Sequence, residues 1–386
     1  MNFKEKPVRR AIALPRSVYI SICLLPVLST ILFYALRSYK ITMDWISRRF
    51  SAPIRGALGL FSSIYPFSLM EVLCTLAGIW LIYYVIGTII ATARKREKLK
   101  ILSKRLLTIS VVVLYAWSAF CWLWNTSYHG QSFAERNGLS GGAVTPDDLA
   151  YVASIFLEKS NELAPLVERN PDGICIGDRQ ELLAVTSDLY KAVFIEYPDL
   201  ETRLYSPKPM MYSWLMSRTG YTGVYFALTG ESNINTRAPI FLLPATIAHE
   251  LAHQCGVAGE DEASYLGILA CVTSGDISYE YAGYLTGLIH LRNALFITDY
   301  DAWSEISLKM SEYVRRDLQI NSDYWQLQKS VETGVVIIDN VLTKVNTVVS
   351  DTVNTAYDGF LKSQDQPLGL RSYDACVDLL VRYFTQ

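Results

Sequence analysis

Three long apolar segments in the first third of the chain limit its possible folds more than any other feature. They cover residues 17–36, 72–91 and 106–124, and each has about the 20 apolar residues that a helix needs to cross a bilayer. The first follows a basic leader, but no small-residue cleavage pattern comes after it, so we interpret it as an uncleaved anchor. The sequence therefore predicts a membrane domain over residues 1–125 with three transmembrane helices.

Basic residues beside these segments predict the orientation of the chain in a cell membrane. The leader and the linker 92–105 together contain twelve Lys and Arg residues, whereas the loop 37–71 contains five. The positive-inside rule places the N-terminus and the linker in the cytoplasm. Three crossings then put residues 126–386 on the extracytoplasmic side. Within the loop, residues 38–65 have apolar side chains at three- and four-residue steps, which predicts an amphipathic helix on the membrane surface.

Most of the segment 126–386 has the helical spacing of apolar residues. Thr145 is predicted to cap the first of these helices. The clearest helical patterns cover 178–195, 279–297, 302–318 and 331–360. Two short runs, 210–216 and 223–228, are rich in β-branched and aromatic residues and predict strands joined as a hairpin. The predicted fold class is α+β, mostly α, with a small sheet.

Charge and cysteine content add less. The formal net charge is −2, and no basic face dominates the chain, so no nucleic acid is expected as a partner. Cys175, Cys255, Cys271 and Cys376 lie in the part predicted to be exported, where disulfides are permitted. Their spacing matches no zinc motif and identifies no disulfide pair.

An HExxH motif, formed by His249, Glu250 and His253, is the strongest chemical signal. Pro244 and Gly256 suit the first turn and the C-terminal cap of one helix. Histidines one turn apart can direct ring nitrogens at a single tetrahedral Zn²⁺, about 2.0–2.1 Å from each. The Glu points beside the ion, where it can act as a general base. We therefore predict His249 and His253 as zinc ligands and Glu250 as the catalytic base.

A catalytic zinc site also needs a third protein ligand and an open fourth position. Glu260, Asp261 and Glu262 follow the motif helix at the start of another predicted helix. Glu262 is favoured, because the apolar helical run after it would fix its orientation. Glu260 and Asp261 are the alternatives, although negative charge at the start of a helix also explains them.

The motif and its downstream Glu resemble the gluzincin metallopeptidases. In that group both His and the downstream Glu bind zinc, and the motif Glu is the general base. The resemblance implies a zinc-dependent peptidase with a zincin-like domain. Gluzincins often carry an Asp four residues after the ligand Glu to orient a His, and after Glu262 that position is Leu266. Metzincins would place their third ligand at position 259, which is Gly259 and cannot coordinate.

Nearly the whole chain also resembles an uncharacterised bacterial family of three-span membrane proteins with a C-terminal HExxH domain. The resemblance lies in residues 66–69, 225–231, 249–271, 281–284 and 372–373. It implies the architecture of transmembrane helices followed by a metallopeptidase domain, and it says little about a substrate.

Six further residues are candidates for substrate contact. Glu231 and Asn233 follow a predicted strand ahead of the motif helix, where zincins place an edge strand that pairs with a peptide. Turn-forming polar residues explain these two equally well. Four other side chains are candidate oxyanion donors, with packing as the alternative role for each. They are His290, Tyr281, Tyr284 and Tyr373.

Together these features predict a membrane-anchored zinc metallopeptidase that acts on a peptide or protein at the outer face of a lipid bilayer. The alternative is a membrane scaffold with a structural or vestigial metal site, but a purely structural zinc has no use for the unliganded carboxylate of Glu250. Transport or signalling by the apolar segments would be marked by charged residues inside them, and the sequence of these segments contains none.

Overall fold

A computed structural model describes residues 15–94, 97–139, 144–184, 187–330, 336–364 and 376–386. Most of these residues lie in helices, and they form one three-stranded sheet. The helices are α1 (Arg16–Leu36), α2 (Lys40–Ile46), α3 (Ala52–Ser63), α4 (Leu69–Arg94), α5 (Lys98–Phe120), α6 (Thr126–Tyr128), α7 (Phe133–Arg136), α8 (Pro146–Leu163), α9 (Arg179–Leu183), α10 (Lys191–Glu196), α11 (Ser213–Thr219), α12 (Leu243–Gln254), α13 (Glu260–Val272), α14 (Ile277–Thr298), α15 (Tyr300–Lys309), α16 (Glu312–Lys329), α17 (Val336–Ser363) and α18 (Cys376–Phe384). The predicted mostly helical fold with a small sheet is confirmed.

Two helical segments are long and apolar enough to cross a membrane. They cover Leu69–Arg94 and Lys98–Tyr128, the second of which consists of α5, the π-helical turn Cys121–Asn125 and α6. In the most apolar part of each segment at most 11% of the residues are buried by the rest of the protein, whereas Cys121 and Trp124, at the end of the second segment, are buried. The apolar part of α1, Ile20–Leu36, is shorter, and Pro26 lies inside it. Both α1 and α4 pack along α5.

The predicted amphipathic helix of residues 38–65 consists of α2 and α3, joined by the π-helical turn Ser47–Ser51. One face is exposed and apolar, and the other packs on the body of the protein. The guanidinium of Arg55 is buried on the inner face and donates a hydrogen bond to the carbonyl oxygen of Leu123 at 2.6 Å. The exposed apolar side chains include Ile41, Trp45, Phe50, Leu60 and Phe61. This segment is therefore attached to the end of the long apolar segment Lys98–Tyr128.

The sheet has the order β1-β3-β2, with strands β1 (Lys208–Pro209), β2 (Gly223–Phe226) and β3 (Glu231–Ile234). β1 is parallel to β3, and β2 is antiparallel to it. The strand predicted over 223–228 is confirmed as β2, but its hairpin partner is β3 and not residues 210–216. β2 therefore lies at an edge of the sheet.

The prediction of a strand over 210–216 is wrong, because α11 begins at Ser213. Ser213, Met216 and Ser217 are buried at helical spacing. The carboxylate of Glu71, in the first turn of α4, accepts hydrogen bonds from the backbone N–H groups that precede α11. This partner lies about 140 positions earlier in the chain, so local patterns cannot reveal it.

The main core is helical. α14 packs against α8 and α13, while α12 and α18 pack against α13. The helix predicted after Thr145 is confirmed as α8, and the Thr145 hydroxyl accepts a hydrogen bond from the Asp148 N–H at 3.1 Å. The helix predicted over 279–297 is confirmed as α14.

The other predicted helices differ in their bounds. The pattern over 302–318 is divided between α15 and α16, and the Ser311 hydroxyl caps α16. In the described residues, the pattern over 178–195 is divided into α9, a short 3₁₀ turn and α10. α17 covers most of the pattern over 331–360, whose first five residues lie outside the described ranges. All seven cysteines are free thiols.

Candidate metal centre

Helix α12 presents the HExxH motif as the sequence predicts. Pro244 lies in its first turn, and Gly256, just after its end, has a φ of 90°. Ile247, Ala248 and Leu251 are fully buried on the core side. The imidazole rings one turn apart have centroids separated by 4.8 Å. The apolar face of α12 therefore fixes the rotation of the helix, and with it the direction of both histidines.

Helix α13 approaches α12 closely at one point. A Cβ atom on Gly267 would lie 2.8 Å from the backbone nitrogen of His249 and 3.0 Å from its Cα atom. No other residue type allows the two backbones to pass at this distance. The crossing brings the first residue of α13, Glu260, to the two histidines.

Three potential ligand atoms meet at this crossing. Glu260 Oε2 lies 3.2 Å from His249 Nε2 and 3.5 Å from His253 Nε2. One ligand atom from each of these residues lies within 4.8 Å of the other two. Ligand atoms about 2.0–2.1 Å from a tetrahedral ion are roughly 3.3 Å from one another. The separations therefore fit a single Zn²⁺ ion.

Glu262, which the sequence analysis favoured as the third ligand, points elsewhere. Its two carboxylate oxygens accept hydrogen bonds from the backbone N–H groups of Phe133 and Ala134, at 3.0 and 2.7 Å. Residues two positions apart on a helix point to nearly opposite sides, so Glu260 and Glu262 cannot both face the histidines. The structure brings Glu260 to them, and Glu262 holds the start of α7.

Asp261, the other alternative, is only partly buried and is not a member of the ligand cluster. Burial raises the pKa of its carboxyl group to about 6, and the neighbouring charge of Glu262 adds to this effect.

Glu250 is buried beside the cluster with 4% of its surface exposed. Among the described residues, its Oε2 atom has no hydrogen-bond partner. A Cβ atom on Gly223, the first residue of β2, would lie 2.5 Å from Glu250 Oε1, so only glycine leaves room for this carboxylate. Burial raises the pKa of Glu250 to about 8, although the nearby His253 opposes the shift. The site therefore keeps a buried carboxyl group with an unpaired oxygen next to the three potential ligand atoms.

The two imidazoles are oriented by hydrogen bonds to their Nδ1 atoms. His253 Nδ1 lies 2.7 Å from the carbonyl oxygen of Val257, and His249 Nδ1 lies 3.3 Å from the hydroxyl of Ser264. Both rings can thus direct Nε2 at a metal ion. Ser264 is four residues after Glu260, at the position where gluzincins often place an Asp that orients a His.

Charges within the cluster are strongly coupled. Burial favours neutral His253, but the adjacent Glu260 carboxylate outweighs this effect and raises the pKa of His253 to about 9. Burial also disfavours the charged form of Glu260, yet both histidines hold its pKa well below the usual range. For His249, burial dominates and lowers the pKa despite the contact with Glu260. Without a metal ion, the cluster therefore holds a Glu260 carboxylate next to a protonated His253.

Two tyrosines that the sequence analysis missed lie at the cluster. The hydroxyl of Tyr357, on α17, donates to Glu260 Oε1 at 2.7 Å. Tyr221, just before β2, packs edge-on against Tyr357 with ring centroids 5.8 Å apart. The Tyr221 hydroxyl is buried and has no hydrogen-bond partner among the described residues. No local motif distinguishes these two tyrosines from the other tyrosines of the chain.

A cavity of about 470 Å³ opens beside the motif helix. His249, Glu250, Tyr221 and His290 line it. The prediction of His290 as a candidate site residue is therefore compatible with its position. Tyr281 and Tyr284 are not in the wall of this cavity: Tyr281 donates to Asp317 at 2.5 Å, and Tyr284 packs edge-on against Phe156. The remaining candidate oxyanion donor, Tyr373, lies outside the described residues.

Glu231 and Asn233, predicted to meet a substrate, are buried in β3. The carboxylate of Glu231 accepts hydrogen bonds from the backbone N–H groups of Leu69 and Met70, both at 3.0 Å, and pairs with Lys208 at 2.9 Å. The Asn233 side-chain amide donates to the carbonyl oxygens of Val224 and Glu231. Glu231 thus joins the sheet to α4, and the amide nitrogen of Asn233 joins the strands of the sheet, whereas the Asn233 Oδ1 atom has no partner among the described residues.

A family model described as "Protein of unknown function (DUF3810)" matches residues 47–381. No curated protein and no solved structure matches the chain. The matched range begins between α2 and α3 and ends in α18, so it includes both long apolar segments and the candidate metal cluster of His249, His253 and Glu260.

Proposed function

We propose that this chain, which belongs to the DUF3810 family, is a membrane-anchored zinc-dependent peptidase. One observation carries the proposal: His249, His253 and Glu260 bring three ligand atoms within 4.8 Å of one another, beside the unpaired buried carboxylate of Glu250. Two imidazoles and one carboxylate are a donor set that zinc uses in catalytic sites, with the fourth position left open.

The roles of the side chains follow from their positions. His249, His253 and Glu260 would hold the ion, and Zn²⁺ bound there supplies a Lewis acid that polarises a carbonyl and lowers the pKa of water to about 7. Glu250 takes a proton from the attacking water and passes it to the leaving amine. The Tyr221 hydroxyl, which has no partner among the described residues and lines the same cavity, would donate a hydrogen bond to the oxyanion that forms on the substrate.

Strand β2 supports the binding of an extended peptide. It lies at the edge of the sheet and begins at Gly223, against Glu250. Its outer edge pairs with no strand of the described residues, so its backbone groups are available to a substrate. An edge strand, a motif helix and a following ligand helix are the parts of a zincin-like domain.

Contacts between distant segments support the membrane topology. The segment α2–α3 lies between α1 and α4 in sequence and packs on the end of Lys98–Tyr128, beside the site. The loop 37–71 and the segment after Tyr128 must therefore lie on the same side of a membrane. That requires an even number of crossings between them, which α4 and α5 provide. The excess of Lys and Arg in the linker between these helices supports an orientation with this side outside the cytoplasm.

The test uses the purified full chain in lipid vesicles. We expect about one zinc per chain, hydrolysis of a proteome-derived peptide pool, loss of both with a strong chelator, and recovery when zinc returns. The matched control is Glu250→Gln, which should keep the zinc and lose the hydrolysis. A Glu250→Gln variant as active as the parent chain contradicts the proposal. Zinc bound with no hydrolysis by either protein favours the alternative, a membrane scaffold with a structural metal.

A further inference from the structure

The metal cluster lies beside the end of the long apolar segment Lys98–Tyr128. The ring of His253 packs edge-on against Trp124, with centroids 5.6 Å apart. Trp124 is the last residue of the apolar run 106–124 and is itself buried, with 7% of its surface exposed, so the protein encloses this end of the segment. An ion about 2 Å from His253 Nε2 would therefore lie within about 10 Å of the protein-enclosed end of this segment.

Contacts of helix α4 give independent evidence that the site lies close to the membrane. Both carboxylate oxygens of Glu231, in β3, accept hydrogen bonds from the first residues of α4. In return, Glu71 in the first turn of α4 accepts hydrogen bonds from the N–H groups before α11. The apolar run of α4 begins at residue 72, directly after these contacts. The sheet therefore sits on the membrane end of α4.

Exposed apolar side chains surround the part of the protein next to the membrane ends of α4 and α5. They are contributed by the α2–α3 segment and by the start of α11. The largest are Trp45, Phe61, Ile64, Met211, Trp214 and Leu215. In addition, the hydroxyl of Thr75, inside the apolar run of α4, lies 3.0 Å from the hydroxyl of Tyr212. Large apolar side chains around two membrane helices are typical of a surface that sits in the lipid interface.

Strand β2 runs from the cavity toward the membrane end of α5. Its first residue, Gly223, lies against Glu250, whereas Tyr225 has its ring 5.0 Å from Trp124, and Ala227 packs in the same cluster as Trp124. A peptide paired along the free edge of β2 would thus run between the catalytic carboxylate and the membrane end of α5. This is the direction of a chain that leaves the bilayer beside the protein.

We infer that the substrate is a membrane-anchored polypeptide, cut in the extracytoplasmic segment next to its own membrane helix. This inference rests on the proposed peptidase function and names its substrate class. In the reaction the peptide C–N bond breaks, a water oxygen bonds to the carbonyl carbon, and one water proton goes to the leaving amine. This reaction is the same for any peptide. The short distance between the site and the membrane favours a substrate that is anchored in the membrane.

The experiment uses the full chain with zinc, reconstituted in vesicles of phosphatidylcholine and phosphatidylglycerol. One peptide pool is offered in three forms: free, fused to a transmembrane helix through a short linker, and fused through a long linker. A linker of about four extended residues reaches about 14 Å, and one of about twenty reaches about 70 Å. Both anchored forms share the vesicle, so the two linkers differ only in the height of the peptide. Cleavage is measured by mass spectrometry against Glu250→Gln.

We expect the short-linker form to be cut about tenfold faster than the long-linker form, because effective concentration falls steeply with linker length, and faster still than the free pool. Cleavage of the long-linker form without the short-linker form would place the site far from the membrane and overturn the inference. Equal cleavage of all three forms would also overturn it while leaving the peptidase intact. If Glu250→Gln matches the parent chain in every form, the peptidase function itself fails.

Discussion

Two buried polar clusters lie in the helical part of this protein, and they differ in how completely their polar atoms are paired. In one, the two carboxylate oxygens of Asp317 bind the guanidinium of Arg169 at 3.0 and 2.7 Å, and the hydroxyl of Tyr281 donates to the same carboxylate at 2.5 Å. In the metal cluster, a carboxylate oxygen of Glu250 and the hydroxyl of Tyr221 are buried without a partner among the described residues.

We interpret this difference as one between a cluster that stabilises the fold and one that is proposed to act on a ligand. A buried polar atom without a hydrogen bond costs about 1–3 kcal/mol, so a fold has no reason to retain it for stability. Unpaired and perturbed groups beside a cavity are typical of sites that act on a ligand. Tyr281, a candidate oxyanion donor by sequence, lies in the paired cluster, whereas Tyr221 was not a candidate and lies in the unpaired one.

Matched carboxylate changes give the largest expected effects. Glu250→Gln should lower the proposed peptidase activity by about 10³-fold, the scale of general-base catalysis, and leave stability unchanged or higher. Asp317→Asn should leave activity per folded molecule unchanged and destabilise the protein by about 3–5 kcal/mol, because buried Arg169 loses its counter-charge. Peptide hydrolysis and denaturant unfolding in vesicles measure the two effects. A loss of stability in Glu250→Gln comparable to that in Asp317→Asn would contradict the comparison.

The two neighbouring acids of α13 test the assignment of the third ligand. Glu260→Gln should weaken zinc binding by more than about 100-fold. Changing a residue that only orients a ligand typically costs about 10–100-fold in affinity, and the loss of a ligand itself should cost more. Glu262→Gln should change zinc affinity little and lower the melting temperature, because its oxygens hold the start of α7. Zinc affinity is measured by competition with a chelator. The opposite order of affinities would restore Glu262 as the ligand.

Matched tyrosine changes compare the clusters on a smaller scale. Tyr221→Phe should lower kcat about 100-fold with little change in KM, as expected when an oxyanion donor is lost. Tyr281→Phe should leave kcat unchanged and cost about 1–3 kcal/mol of stability, because the Asp317 carboxylate loses a donor. Steady-state kinetics and thermal unfolding of both variants provide the test. A Tyr221→Phe variant with unchanged kcat would remove Tyr221 from the proposed mechanism.

The smallest expected effect is the dependence of zinc affinity on pH. In the metal-free protein His253 has its pKa raised to about 9 by Glu260, so below pH 9 a proton must leave before zinc binds. Apparent zinc affinity should therefore rise about tenfold per pH unit between pH 6.5 and 8.5 and level off above about 9. His249 adds no second proton, because its pKa is lowered. Affinity that does not change over this interval would show that His253 is neutral before zinc binds.

Local sequence patterns predicted the parts of the site that lie within one helix. The spacing of His249, Glu250 and His253, with Pro244 and Gly256 at the ends, is a property of one helical segment. The apolar segments and most core helices were predicted for the same reason, since their signals are local periodicities. The strand predicted over 210–216 failed because Glu71 and the core, both distant in sequence, determine that region.

The choice between Glu260 and Glu262 could not be made from sequence, because it depends on how α13 is rotated about its axis relative to α12. Gly267 sets that relation by allowing the two backbones to approach at His249. Likewise, Tyr357 reaches Glu260 from a helix 97 positions away in the chain. Contacts of this kind leave no periodic signal near either residue.

The sequence by itself determined the HExxH helix, the apolar helices and the mostly helical fold class, because each of these depends on side chains that are neighbours along the chain. Only the tertiary structure decided which acid of α13 lies beside the histidines, which residues orient the histidines, and the position of the cluster beside the ends of both long apolar segments. Those features depend on where one helix crosses another, and the crossing is fixed by packing between residues that are far apart in sequence.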